Sequence, residues 1–137
     1  MTQVITKIGK EKYTTISTDG THEIKGDQPT PNGQDMGPTP YDLLLMALGT
    51  CIAQTLRMYA DRKGWNLEEV QVILNQDRAH AKDCADCESE TGFIQVIEKE
   101  IRLIGTLSDE QRTSLIEISD KCPIHKMLIN EIKIITK

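Results

Sequence analysis

Four cysteines, at positions 51, 84, 87 and 122, are the residues through which this sequence could do chemistry. The stretch Met1 to Lys12 carries Lys7, Lys10, Glu11 and Lys12 among isolated apolar residues. It reads as neither a signal peptide nor a spanning segment, so a cytoplasmic protein without membrane contact is expected. Reducing buffers there keep structural disulfides rare, which ranks metal binding or thiol chemistry above a disulfide framework.

Cys122 directly precedes Pro123. If a helix starts there, the sulfur sits at the N-cap beside unpaired N–H donors that favour thiolate, with Lys121 adding positive charge. Local sequence therefore makes Cys122 the more acidic thiol. Cys51 lies about three turns inside a long apolar helical segment, on the side of Leu44, Leu48 and Thr55, and by itself reads as a core thiol.

Cys84 and Cys87 form a CxxC flanked by Asp83, Asp86 and Glu88. Acidic neighbours disfavour thiolate, and no strand-then-helix context surrounds the motif, so a thioredoxin-like role is a weak reading and a hairpin tip a better one. A sharper alternative gathers Cys84, Cys87, Cys122 and His125 into a closed zinc site, with His80 as a spare nitrogen ligand. His22 falls in an N-terminal hairpin. No hydrolase triad and no phosphate- or dinucleotide-binding glycine motif is present, and no cofactor is expected.

These residues need elements to hold them. Between residues 2 and 25 polar and apolar side chains alternate loosely, predicting two or three strands with a type I′ turn at Asp19-Gly20. Residues 26–39, with Pro29, Pro31, Gly33, Gly37 and Pro38, read as a loop. Thr39 as N-cap, Pro40 at the first helical position and Asp42 as capping-box acid start a long helix that Gly64 stops. Its first half is apolar nearly all round, predicting a central, mostly buried helix. Val70, Val72 and Leu74 predict one strand and Phe93 to Leu103 another. Ser108 with Gln111 caps a shorter helix, followed by a brief helix over 123–129 and a last strand near Ile132 to Ile135. Strands before and after helices without βαβ alternation make the fold class α+β, a long helix against an antiparallel sheet.

The chain has 137 residues, is 38% hydrophobic and carries a formal charge of −5. One domain over 1–137 is the expectation, and the absence of a basic footprint argues against a nucleic-acid partner.

The run Gly37-Pro-Thr-Pro-Tyr-Asp-Leu-Leu-Leu-Met-Ala-Leu-Gly-Thr-Cys51, followed by Lys121-Cys122-Pro123, resembles the OsmC and organic hydroperoxide resistance family over nearly the whole chain. The resemblance implies an OsmC-like fold in an intertwined homodimer, and a thiol-dependent peroxidase acting on organic hydroperoxides. Cys51 would then be peroxidatic and Cys122 resolving, with a dithiol reductant restoring the pair. This assignment displaces Cys122 as the nucleophile preferred on local grounds. The family's N-terminal arginine has no counterpart in residues 1–56, and Tyr41 stands where its glutamate follows the helix-opening proline, leaving the adjacent Asp42 as the candidate carboxylate. The competing expectation is a non-enzymatic member of the family that binds zinc or a small molecule.

Overall fold

The structure, a computed structural model of the chain, describes residues 1–84 and 87–137. Two units organise it, Met1–Met46 and Ala47–Lys137, with the boundary inside the long helix.

The first unit is an antiparallel meander of β1 (Ile5–Ile8), β2 (Thr15–Thr18) and β3 (Glu23–Gly26). The expected hairpin is present, but its turn is not the two-residue type I′. Thr18 pairs with Glu23, leaving four connecting residues. Asp19 Oδ1 accepts from the Thr21 and His22 backbone N–H groups at 2.9 and 2.7 Å. A carboxylate that bonds the backbone ahead of it builds a wider loop, and Gly20 takes a positive φ of 98° while Asp19 does not.

The following loop is organised by one buried carboxylate. Asp27 accepts from Thr14 Oγ1 at 2.7 Å and from the backbone N–H groups of Gln28 and Met36 at 2.7 and 3.2 Å. Buried polar groups must be paired, and here the pairing closes the proline- and glycine-rich segment on itself.

Helix α1 (Pro40–Lys63) begins as expected. The Thr39 N–H donates to Asp42 Oδ2 at 3.0 Å, and the Asp42 N–H donates to Thr39 Oγ1 at 3.2 Å. At the other end, Gly64 adopts φ +69°, its N–H donates to the Asp61 carbonyl, and the Trp65 N–H donates to the Ala60 carbonyl. This is the Schellman stop, in which a left-handed residue satisfies the last carbonyls.

In the second unit, α1 packs on a two-stranded antiparallel ribbon of β4 (Asn66–His80) and β5 (Phe93–Thr106). The ribbon leads into α2 (Asp109–Ile118), a 3-10 turn (Ser119–Lys121) and α3 (Pro123–Leu128). Ser108 and Gln111 form the predicted capping box. The core gathers Leu48, Ile52, Leu56 and Ala60 of α1 with Leu67, Leu115 and Cys122. The helix is therefore less buried than its composition predicts. A ribbon covers one stripe at a spacing of four, and Met58 on another face stays 65% exposed.

A bulge sets the phase of β4. Leu67 pairs with Gly105 and Glu69 with Ile104, so Glu68 is the extra residue. Strand side chains alternate, and without the insertion odd-numbered Leu67 would face away from even-numbered Val70, Val72 and Leu74, with which it shares the core. Gly105 permits this geometry, because its φ is +146° and a Cβ there would collide with the Asn66 carbonyl.

The expected strand near Ile132 to Ile135 is absent. Strand alternation is a local pattern, but a strand also needs a hydrogen-bonding neighbour; among the described residues none pairs with this segment, and Ile134 is 90% exposed.

Candidate functional site

Cys51 and Cys122 are the free cysteines. Cys51 is half-buried on α1, packed against the core, and its carbonyl accepts from Thr55 Oγ1 at 2.8 Å. Cys122 is completely buried at the N-cap of α3, where its sulfur accepts from the His125 backbone N–H at 3.4 Å. Pro123 at the first helical position preorganises that cap.

The structure reverses the expected acidity of Cys122. Burial pushes its thiol above the ordinary value first, and a side-chain hydrogen bond with the Cys51 thiol raises it further; the His125 and Ile124 N–H groups pull the other way and lose. The N-cap argument identified real donors. It could not weigh them against desolvation in the core, which opposes any buried charge.

The turn before Cys122 is anchored on two sides. Ser119, also fully buried, donates through Oγ to the Ile116 carbonyl at 2.5 Å. Lys99 of β5 forms an ion pair with Asp120, whose carboxyl it holds below the usual range. Neither tie was visible from the sequence, since Lys99 and Asp120 are 21 residues apart and carry no motif.

Asp42 is engaged with Thr39 at the start of α1, as a cap. Cys84 and Cys87 stand in the connection between β4 and β5, as expected of a hairpin tip, and are joined in a disulfide. Asp86, one of their acidic flanks in the sequence, lies outside the described residues. The four zinc candidates are not brought together: Cys84 and Cys87 bond each other, while Cys122 is in the core with its sulfur held by the His125 N–H. Among the described residues no group of three or more His, Cys, Asp or Glu side chains could hold a metal ion.

Comparison with known proteins places this arrangement. The family described as OsmC-like protein matches residues 33–137. The chain belongs to the OsmC-like family. No match was found among curated proteins. Among solved structures, this OsmC-like chain is similar to an OsmC-like protein from Mycoplasma pneumoniae, at 17% identity over 93% of this chain and 86% of that one, with a TM-score of 0.74. It is also similar to an organic hydroperoxide resistance protein OsmC from Legionella pneumophila, at 18% identity, 93% and 89% coverage and a TM-score of 0.65. A third likeness is to the organic hydroperoxide resistance protein OhrB of Bacillus subtilis, at 18% identity, 94% and 90% coverage and a TM-score of 0.58. At such identities these likenesses show the fold: antiparallel sheets with a long helix, as expected. In the OsmC-like chain, α1 has the length and apolar content of a spanning helix, but a core helix passes the same test, and α1 buries Leu48, Ile52, Leu56 and Ala60 in the protein.

Proposed function

We propose that this OsmC-like chain is a thiol-dependent peroxidase that reduces organic hydroperoxides, with Cys51 peroxidatic and Cys122 resolving. One observation carries the reading: two free thiols meet in the same core and act on one another electrostatically, one half-buried and the other fully buried.

In this reading the Cys51 thiolate attacks one peroxide oxygen, the O–O bond breaks, and the alcohol leaves with a proton, giving Cys51 sulfenic acid. Cys122 then attacks the Cys51 sulfur, a disulfide forms and water leaves. A dithiol reductant returns both thiols by exchange. The high proton affinity of Cys122 suits this order, because the nucleophile of the first step must be the thiolate and Cys122 is held as thiol. Asp42 contributes by fixing the start of the helix that carries Cys51.

The reading takes residues 1–137 as one OsmC-like domain working in the cytoplasm as an intertwined homodimer. Support for the dimer comes from apolar side chains left on the surface of a single chain, including Ile5, Ile8, Ile16 and Ile24 of the meander and Met58 of α1.

A small-molecule-binding role is favoured by a separate feature, an open groove of about 460 Å³ lined by Ala53, Arg57, Met58, Glu68 and Val70. Single-turnover oxidation separates the two. Fully reduced protein is mixed with cumene hydroperoxide or hydrogen peroxide, free thiols are counted, and disulfides are mapped by mass spectrometry. The peroxidase reading expects rapid loss of two thiols into a Cys51–Cys122 link, faster with the organic peroxide, and no turnover in Cys51→Ser. Protein unchanged after minutes would overturn it in favour of binding.

A further inference from the structure

The Cys84–Cys87 disulfide is left unused by that chemistry. Its position argues against a purely structural staple. Both cysteines lie in one connection, which backbone pairing already closes: His80 pairs with Phe93, and the Ala81 N–H donates to the Gly92 carbonyl at 2.9 Å. Below that closure the His80 and Phe93 rings stack at 4.6 Å, with the Arg78 guanidinium 5.0 Å from the Phe93 ring centre. The disulfide joins no second element, and a cross-link spanning a loop this short removes little entropy from the unfolded chain.

Two further observations point to exchange. Both sulfur-bearing residues are half-buried rather than sealed in the core like Cys122. The same connection holds, at its base, a cavity of about 240 Å³ lined by His80, Lys82, Glu90, Thr91 and Gly92, room for part of a partner that approaches the connection. The Cα atoms stand 5.5 Å apart on a CxxC spacing, so the pair can open and reclose without moving the strands that flank it.

We propose that Cys84 and Cys87 form a second thiol–disulfide exchange site, independent of Cys51 and Cys122, whose partner is a dithiol. A thiolate of the partner attacks one of the two sulfurs, the Cys84–Cys87 bond breaks, and a mixed disulfide forms while the other cysteine leaves as thiolate and takes up a proton. The partner's second thiol then attacks the mixed disulfide, closing its own disulfide and releasing the second cysteine thiol. Two electrons and two protons have passed from the dithiol to the pair. The reverse sequence returns them to an oxidised partner. The acidic residues Asp83 and Glu88 beside the pair disfavour thiolate, which makes the reduced pair an electron donor rather than a strong oxidant.

The test uses the whole native protein with dithiothreitol as the dithiol. Protein is equilibrated in buffers of varied reduced-to-oxidised dithiothreitol ratio, then alkylated with light iodoacetamide and, after denaturation and full reduction, with heavy iodoacetamide, so that each cysteine is scored by peptide mass. The site expects Cys84 and Cys87 to move together, reversibly, between alkylated and protected forms without loss of circular dichroism. The same transition should persist in Cys51→Ser, and Cys87→Ser treated with oxidised glutathione, a monothiol disulfide, should hold a mixed disulfide on Cys84. Protection that yields only when the protein unfolds would overturn the proposal and make the bond structural. So would two cysteines that stay reduced in excess oxidised dithiothreitol. Because Cys51 and Cys122 are scored separately, failure of the peroxidase reading would leave this result untouched.

Discussion

The His125 backbone N–H donates to the Cys122 sulfur at 3.4 Å while the Cys51 thiol bears on the same atom from α1. Burial and the second sulfur oppose a charged sulfur, the His125 and Ile124 N–H groups favour it, and the opposition prevails. Cys122 is thereby kept protonated to higher pH than an ordinary cysteine, which gives a first prediction.

A folded-state pKa raised above the unfolded value contributes stability below the unfolded pKa and loses it as pH rises through the folded one. The reduced protein should therefore lose stability on the alkaline side of the ordinary thiol range. In urea titrations at pH 7 and at about pH 10, Cys122→Ala should show a smaller alkaline loss than the native sequence. Equal losses would mean that Cys122 is not the group responsible.

Asp27 predicts the opposite limb. Burial works against its carboxylate, but hydrogen bonds from Thr14, Gln28, Met36 and Gln34 outweigh it and hold its pKa below the usual value. Such a group contributes stability above its unfolded pKa, lost as pH falls through the folded one. Amide exchange at Gln28 and Met36 should quicken as pH falls below about 4, after correction for the intrinsic exchange rate. Asp27→Asn should expose both amides already at neutral pH.

The cap at Thr39 and Asp42 predicts a separation of stability from rate. Thr39→Ala should cost about 1 kcal/mol in chemical denaturation, and Asp42→Ala a similar amount. If Asp42 acts only by fixing the helix start, the two variants should oxidise at equal rates per folded molecule in stopped-flow thiol assays. A rate loss confined to Asp42→Ala would instead give its carboxylate a direct part in the chemistry.

In the core, Leu56 and Leu115 are both fully buried. Truncation of either to alanine should cost about 2–5 kcal/mol, since the transfer loss and the cavity add. Ile116, next in sequence but 44% exposed, should cost below about 1 kcal/mol. Urea midpoints of the three variants, measured at one protein concentration, check the ranking.

Features written in neighbouring residues were legible in the sequence. Thr39-Pro40 with Asp42, and Ser108 with Gln111, specify helix starts within four residues, and Gly64 marks a stop that needs one left-handed position. Val70, Val72 and Leu74 betray their strand by alternation. What failed depends on distant partners. Ile132 to Ile135 alternate like a strand but have none beside them, and the acidity of Cys122 is decided by burial rather than by Lys121 or Pro123. The Asp19-Gly20 turn was misjudged because the Asp19 side chain, and not its dihedral preference, shapes the loop. The nearness of Cys51 to Cys122 came from family resemblance alone, with no spacing rule to give it.

The bulge at Glu68 fixes the parity of the chain between α1 and the ribbon. Deleting Glu68 alone keeps Leu67 inward, because it then stands two positions from Val70 in a regular strand, whereas deleting Glu68 and Glu69 together turns it outward. Drift in the length of this junction should therefore lose one residue together with the bulge, or proceed in even steps while the bulge is kept. Among relatives, the position opposite should tolerate a side chain only where the bulge has been lost.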